Sequence, residues 1–185
     1  MRVRSVVWTR VATTLMLAVA VAAPASGRTT VAPSIARLFP AMPGTIAAQG
    51  RPLQLRLGPG DTVTVASFSF LPRPDIAQTR NSAWCGVTIR AGAKPAQAVV
   101  TVGTGATWYA NCGRLRAIGT LPAPAGQARF AVINDVSSPN STVPGAAFLV
   151  RNGGRWKLNE ELVTDPQLEN VPVTIPALRR ALKAR

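Results

Sequence analysis

The chemistry this sequence offers most openly is the capture of anions by arginine. Arg56, Arg90, Arg114, Arg116, Arg129, Arg155 and Lys157 fall on the polar phase of segments that alternate with apolar residues. A guanidinium forks onto carboxylate, sulfate or phosphate oxygens, so these positions suit a negatively charged partner. Arg90, Arg114, Arg116 and Arg129 are the candidate ligand contacts. Trp84 and Tyr109, on the phases opposite the cysteines, are candidate rings for stacking on a sugar or a base. Trp108 shares the cysteine phase and is expected in the core. Whether the arginines form one patch depends on strand order, which the sequence leaves open.

Acid–base and metal chemistry have little to work with. The chain has no histidine, which removes the Ser-His-Asp triad, the Cys-His dyad and most zinc or copper sites. G-x-S-x-G and S-x-x-K are missing, and no glycine-rich loop precedes a lysine as in a phosphate cradle. Hydrolysis by two carboxylates needs only an acid and a partner at the right separation, and the β-region supplies Asp61, Asp75 and Asp135. Asp61 follows Gly60 in a turn and Asp135 follows Asn134 at a strand end, positions where Asp bonds nearby backbone. Glu160 and Glu161 are expected to be solvated. Asp61, Asn134 and Asp135 could offer oxygens to calcium, but their spacing fits no recognised loop. The expectation is a non-catalytic protein with no metal and no cofactor.

Cys85 and Cys112 are the two cysteines. Their spacing is not that of a redox C-x-x-C, and an even count in an exported chain points to one structural bridge. Export is read from the N-terminus. Arg2, Arg4 and Arg10 precede an apolar run from Val11 to Ala23, and Ala23-Pro24-Ala25 offers a small-residue cleavage site. That order predicts a signal peptide over residues 1–25. The run is short of the roughly 20 apolar residues a spanning helix needs, and no later segment reads as one. The absence of a nearby cysteine or arginine pair favours the general export route over lipoprotein or twin-arginine export. Cleavage would leave 160 of the 185 residues and lower the net charge from +14 to +11. Such a surface attracts acidic polysaccharide, anionic lipid or other polyanions, and no dedicated nucleic-acid motif is present.

The elements that must position these residues are mostly strands. Residues 26–51 read as an irregular lead-in broken by Pro33, Pro40 and Pro43. From Leu53 the period becomes two, with Leu53, Leu55 and Leu57 on one face. Strands follow at Thr62 to Phe70, Trp84 to Arg90, Gln97 to Val102, Thr107 to Cys112, Arg114 to Ile118, Ala128 to Asn134, Ala146 to Arg151 and Arg155 to Leu158. Val63 and Val65 share one phase while Phe68 and Phe70 take the other, which predicts a β-bulge near Ala66-Ser67. Close-spaced short strands with Gly, Pro and Asn between them predict an all-β antiparallel sandwich over 52–159, with a jelly roll among its variants. An outer-membrane barrel would need aromatic girdles, and the chain has one tyrosine.

Residues 160–185 gather four of the seven acids and then change sign. Thr174 can cap a short amphipathic helix with Pro176 in its first turn. Ile175, Leu178 and Leu182 lie on one side, with Arg179, Arg180, Lys183 and Arg185 around them. It can dock on its own domain or lie on an anionic membrane. Asn140-Ser141-Thr142 is a glycosylation sequon. Together these features predict a secreted or periplasmic sandwich that binds an anionic polysaccharide or envelope component. A structural subunit of an envelope or extracellular assembly and a carbohydrate-active enzyme are the alternatives.

Overall fold

A computed structural model describes residues 37–39, 41–42, 44–76, 82–108 and 110–183. The predicted signal peptide lies outside the described residues, as does Tyr109. The strands are β1 (Ala47–Ala48), β2 (Leu53–Gly58), β3 (Asp61–Phe70), β4 (Trp84–Arg90), β5 (Gln97–Val102), β6 (Asn111–Leu121), β7 (Ala128–Ser138), β8 (Ser141–Asn152) and β9 (Arg155–Leu158). After them, three short helices stand among the described residues: α1 (Glu160–Val163), α2 (Pro166–Glu169) and α3 (Ile175–Lys183).

The strands form two antiparallel sheets that face each other. In sheet 1, β1 and β2 pair with successive stretches of β3, and the order continues through β4 to β5. Sheet 2 runs β6-β7-β8-β9. Strands thus keep chain order, and the Greek-key crossings of the jelly-roll variant are not used. Tight turns make this meander. Between β8 and β9, Gly153 and Gly154 take φ of 57° and 81°, the two left-handed values a type I′ hairpin requires.

Alternation buries one phase of each strand between the sheets. Leu55, Val63, Val65, Val87 and Ile89 of sheet 1 meet Phe130, Val132, Ala147, Leu149 and Trp156 of sheet 2. The opposite phases are covered as well, which makes the sandwich four layers deep. Over sheet 2, Leu162, Leu168, Leu178 and Leu182 of the helices cover Ala131, Ile133 and Phe148. Over sheet 1, Phe39 from the lead-in packs on Phe68, Phe70 and Trp84.

This second covered face removes the need for the bulge expected near Ala66-Ser67. The β3–β4 register runs unbroken from Thr64↔Arg90 to Phe70↔Trp84. Phe68 and Phe70 keep their outward phase because Phe39 lies over it. Gly86 makes the approach feasible, since a Cβ there would overlap the Phe39 ring. The described residues of the lead-in therefore belong to sheet 1: Ala47–Ala48 pair with Ser69 and Phe68.

The α3 helix docks on its own domain. Thr174 Oγ1 accepts the Ala177 N–H at 3.4 Å, while Arg179 Nε donates to the Thr120 carbonyl at 2.8 Å. Burial of Ala177, Leu178 and Leu182 directs the apolar face inward, each buried Leu contributing about 1.5–3 kcal/mol. That face is not offered to a membrane or a neighbouring subunit. The acids ahead of it cap helices: Asp165 accepts the Gln167 N–H at 2.9 Å, and Glu160 and Glu161 occupy the first turn of α1, where the helix dipole favours them. Among the described residues no helix is long and apolar enough to cross a membrane.

Candidate functional site

Two cross-sheet links hold the sandwich at opposite ends. At one end Cys85 of β4 is bonded to Cys112 of β6, as the sequence predicts. Cys85 is fully buried with Val102 and Ala110, and Cys112 and Val136 pack against them. At the other end Asp61, at the start of β3, takes a two-pronged grip from Arg151 of β8. Nη1 donates to Oδ1 at 3.1 Å and Nη2 pairs with Oδ2, while the guanidinium lies over the Trp156 ring.

Hydrogen bonding to Arg151 holds the Asp61 carboxyl below its ordinary range, against the opposing effect of burial. A carboxylate with a depressed folded pKa adds stability above its unfolded value, near 4, and loses it as pH falls through the folded value. Asp61→Asn should therefore cost about 1 kcal/mol at neutral pH for this partly exposed pair. Urea midpoints should show the gap between variant and parent closing below about pH 4. A gap that persists at acid pH would assign the loss to something other than the ion pair.

Asp135 is also held by arginine. Arg114 Nε donates to Oδ2 at 3.2 Å, and Arg116 Nε pairs with Oδ1. The expectation that Asp61 and Asp135 bond nearby backbone gives way to these long-range ion pairs, because strand pairing brings arginines to them. Asp75 pairs with Arg73 at 3.6 Å. The calcium set is not assembled either. Arg151, the partner of Asp61, faces Ala128 at one end of β7, whereas Asp135 faces Pro144 toward the other.

Strand order also settles how the candidate arginines are distributed. Arg90 stands exposed on the outer face of sheet 1, opposite Thr64. Arg129, half-buried, lies between Leu121 and Val150 on the helix-covered face of sheet 2. Arg114 and Arg116 sit on β6 beside Asp135. The four do not converge on one patch. Arg56, Arg155 and Lys157 are exposed on the broad faces as expected.

The tryptophans exchange their predicted roles. Trp84 keeps the phase opposite Cys85 but is only 6% exposed, because the Phe39 layer covers that side. It offers no ring to a ligand. Trp108 is 50% exposed. A 3-10 turn at Gly105–Thr107 replaces the strand expected from Thr107, and β6 starts only at Asn111, so the predicted alternation never reaches Trp108.

Two features have no local sequence signal. The first is a partly buried polar cluster. Gln49 Nε2 donates to the Gly113 carbonyl at 2.7 Å, and its Oε1 accepts from Asn134 Nδ2 at 3.0 Å and Ser67 Oγ at 3.3 Å. It sits between the sheets beside the disulfide, with Gln49 Nε2 3.5 Å from Cys112 Sγ. The second is a cleft of about 350 Å³ at the disulfide end. There the β7–β8 hairpin runs on past β9, which pairs only with Leu149 to Asn152.

Opposite that hairpin stand the end of β5 and the turn over residues 103–108. Thr101, Thr107, Ser138 and Ser141 line the cleft together with Val102 and Val143. Thr101 joins the lining at a bulge. Val100 pairs with Gly86 and Val102 with Cys85, leaving Thr101 as the extra residue, and such a residue redirects its side chain. Thr101 is 1% exposed, and its Oγ1 has no hydrogen-bond partner among the described residues.

No family model, curated protein or solved structure matches this chain. Its own geometry therefore carries the functional reading.

Proposed function

We propose that this chain is an exported, non-catalytic binding module for an anionic polysaccharide of the cell envelope or its surroundings. The observation that carries the reading is the separation of charge. Asp61 and Asp135 are occupied by Arg151, Arg114 and Arg116, and four of the other acids lie in or beside α1 and α2. Arg56, Arg90, Arg155 and Lys157 stay exposed on the two broad faces, and no salt bridge engages them among the described residues. Cations spread over two faces suit a long polymer better than a small anion, which would need them to converge. The disulfide fits an oxidising compartment, and the N-terminal charge and apolar run supply the route to it.

The test is retention on a sulfated-polysaccharide matrix. Retention should exceed that of an unrelated protein matched in net charge, and vanish by about 1 M salt, where the screening length falls to about 3 Å. Changing Arg56, Arg90, Arg155 and Lys157 together to Gln should shift elution to clearly lower salt. Elution alongside the charge-matched control would defeat the proposal. Mature protein from its native host should begin near residue 26 by mass spectrometry, and an intact leader would remove the export half.

A further inference from the structure

We infer that the cleft at the disulfide end is a sugar subsite, taking one or two uncharged sugar units of a glycan chain. The inference rests on the polysaccharide-binding reading and adds the place where sugar rings, as opposed to their charges, are recognised. The volume of about 350 Å³ falls in the range of small-ligand sites. No Lys, Arg, Asp or Glu lines it, so a phosphate or carboxylate would meet no counter-charge there. Hydroxyls alternate with small apolar side chains. Val102 and Val143 suit the C–H face of a pyranose, while Thr107, Ser138 and Ser141 suit its hydroxyl edge.

Thr101 turns this shape into a site. A buried hydroxyl without a partner is costly to the free protein, and a ligand hydroxyl that displaces the atoms covering it would satisfy it. Trp108, half exposed, follows Thr107 directly on the turn that supplies Ala106 and Thr107 to the lining. Aromatic side chains of this kind combine a flat apolar surface with one polar end.

The experiment follows backbone amide shifts of isotope-labelled protein during titration with cellotriose, maltotriose, mannotriose and chitotriose to millimolar concentration. At least one should move amides at Thr101, Thr107, Ser138 and Val143, and the shifts should persist in salt that elutes the protein from the sulfated matrix. Thr101→Val should weaken binding by about tenfold or more, the value of one lost hydrogen bond. The same change should raise Tm by about 2 °C or more, because it deletes an unsatisfied buried group. A residue with only a structural role would not separate the two readouts in this way. Val143→Trp, at a half-exposed position, fills the cleft without touching the core and should abolish the shifts.

Cleft amides unmoved by all four trisaccharides would overturn the inference, as would Thr101→Val binding like the parent. Stronger shifts of the same amides by short uncharged peptides would also overturn it. Loss of matrix retention with the cleft shifts intact would count against the polyanion reading alone. Retention without cleft shifts would count against the sugar subsite alone.

Discussion

Cys85→Ala/Cys112→Ala should cost about 3.5 kcal/mol, the loop-closure value for a separation of 27 residues. Single domains of this kind are stable by only about 5–15 kcal/mol, so the loss should lower Tm by roughly 10 °C. The bridge also has a local task. Val102 at the end of β5 and Ala110 just before β6, on either side of the passage from sheet 1 to sheet 2, both pack on Cys85. Cys112 N–H also bonds to the Ala83 carbonyl at 2.8 Å, so one backbone link survives in the variant. Amide exchange should therefore accelerate first in residues 103–108 and at Ala110, with β7 and β8 far less affected. Calorimetry and hydrogen exchange on the double variant check both statements. A Tm change under about 2 °C, or exchange raised evenly across both sheets, would contradict them.

Replacing Gln49 should be nearly as damaging, at about 3 kcal/mol. Its amide is the shared partner of Gly113, Asn134 and Ser67. Asn134 is 1% exposed, and its Oδ1 already has no hydrogen-bond partner among the described residues. Removing Gln49 would leave the whole Asn134 amide unpaired, and each stranded buried group costs about 1–3 kcal/mol.

Gln49→Met separates polarity from packing, since it keeps the volume and removes the polar atoms. It should destabilise about as much as Gln49→Ala. Adding Asn134→Leu should recover part of the loss, because deleting both partners leaves fewer polar atoms stranded. Urea unfolding of the parent, Gln49→Met, Asn134→Leu and the double variant measures the cycle. A neutral Gln49→Met would show that the cluster contributes little. Gln49 lies in the lead-in that reads as irregular from sequence, and its partners are 18, 64 and 85 residues away, beyond any local signal.

The same difference in range divides what was legible from what was not. Strand positions such as Trp84 to Arg90 and Gln97 to Val102 match the structure because alternation is a property of neighbouring residues. The disulfide was legible because two cysteines admit one intramolecular pairing. The cap at Thr174 follows from a short-range rule.

The candidate site was less legible. Phe68, Phe70 and Trp84 were placed on the right phase, but phase does not say whether a second layer lies over it. Trp108 was misread because a 3-10 turn interrupts the strand. The arginines were correctly expected outside the inter-sheet core, yet their separation on opposite faces depends on strand order.

The sequence by itself determined a two-sheet alternation, one sulfur link and a positively charged exterior, since each arises from composition or from residues a few positions apart. That Phe39 covers sheet 1, that Arg151 meets Asp61, and that a bulge sets Thr101 in the lining of a cleft follow from the tertiary structure. These depend on segments distant in the chain arriving at one place, and pairwise packing at that range leaves no periodic trace in the residues themselves.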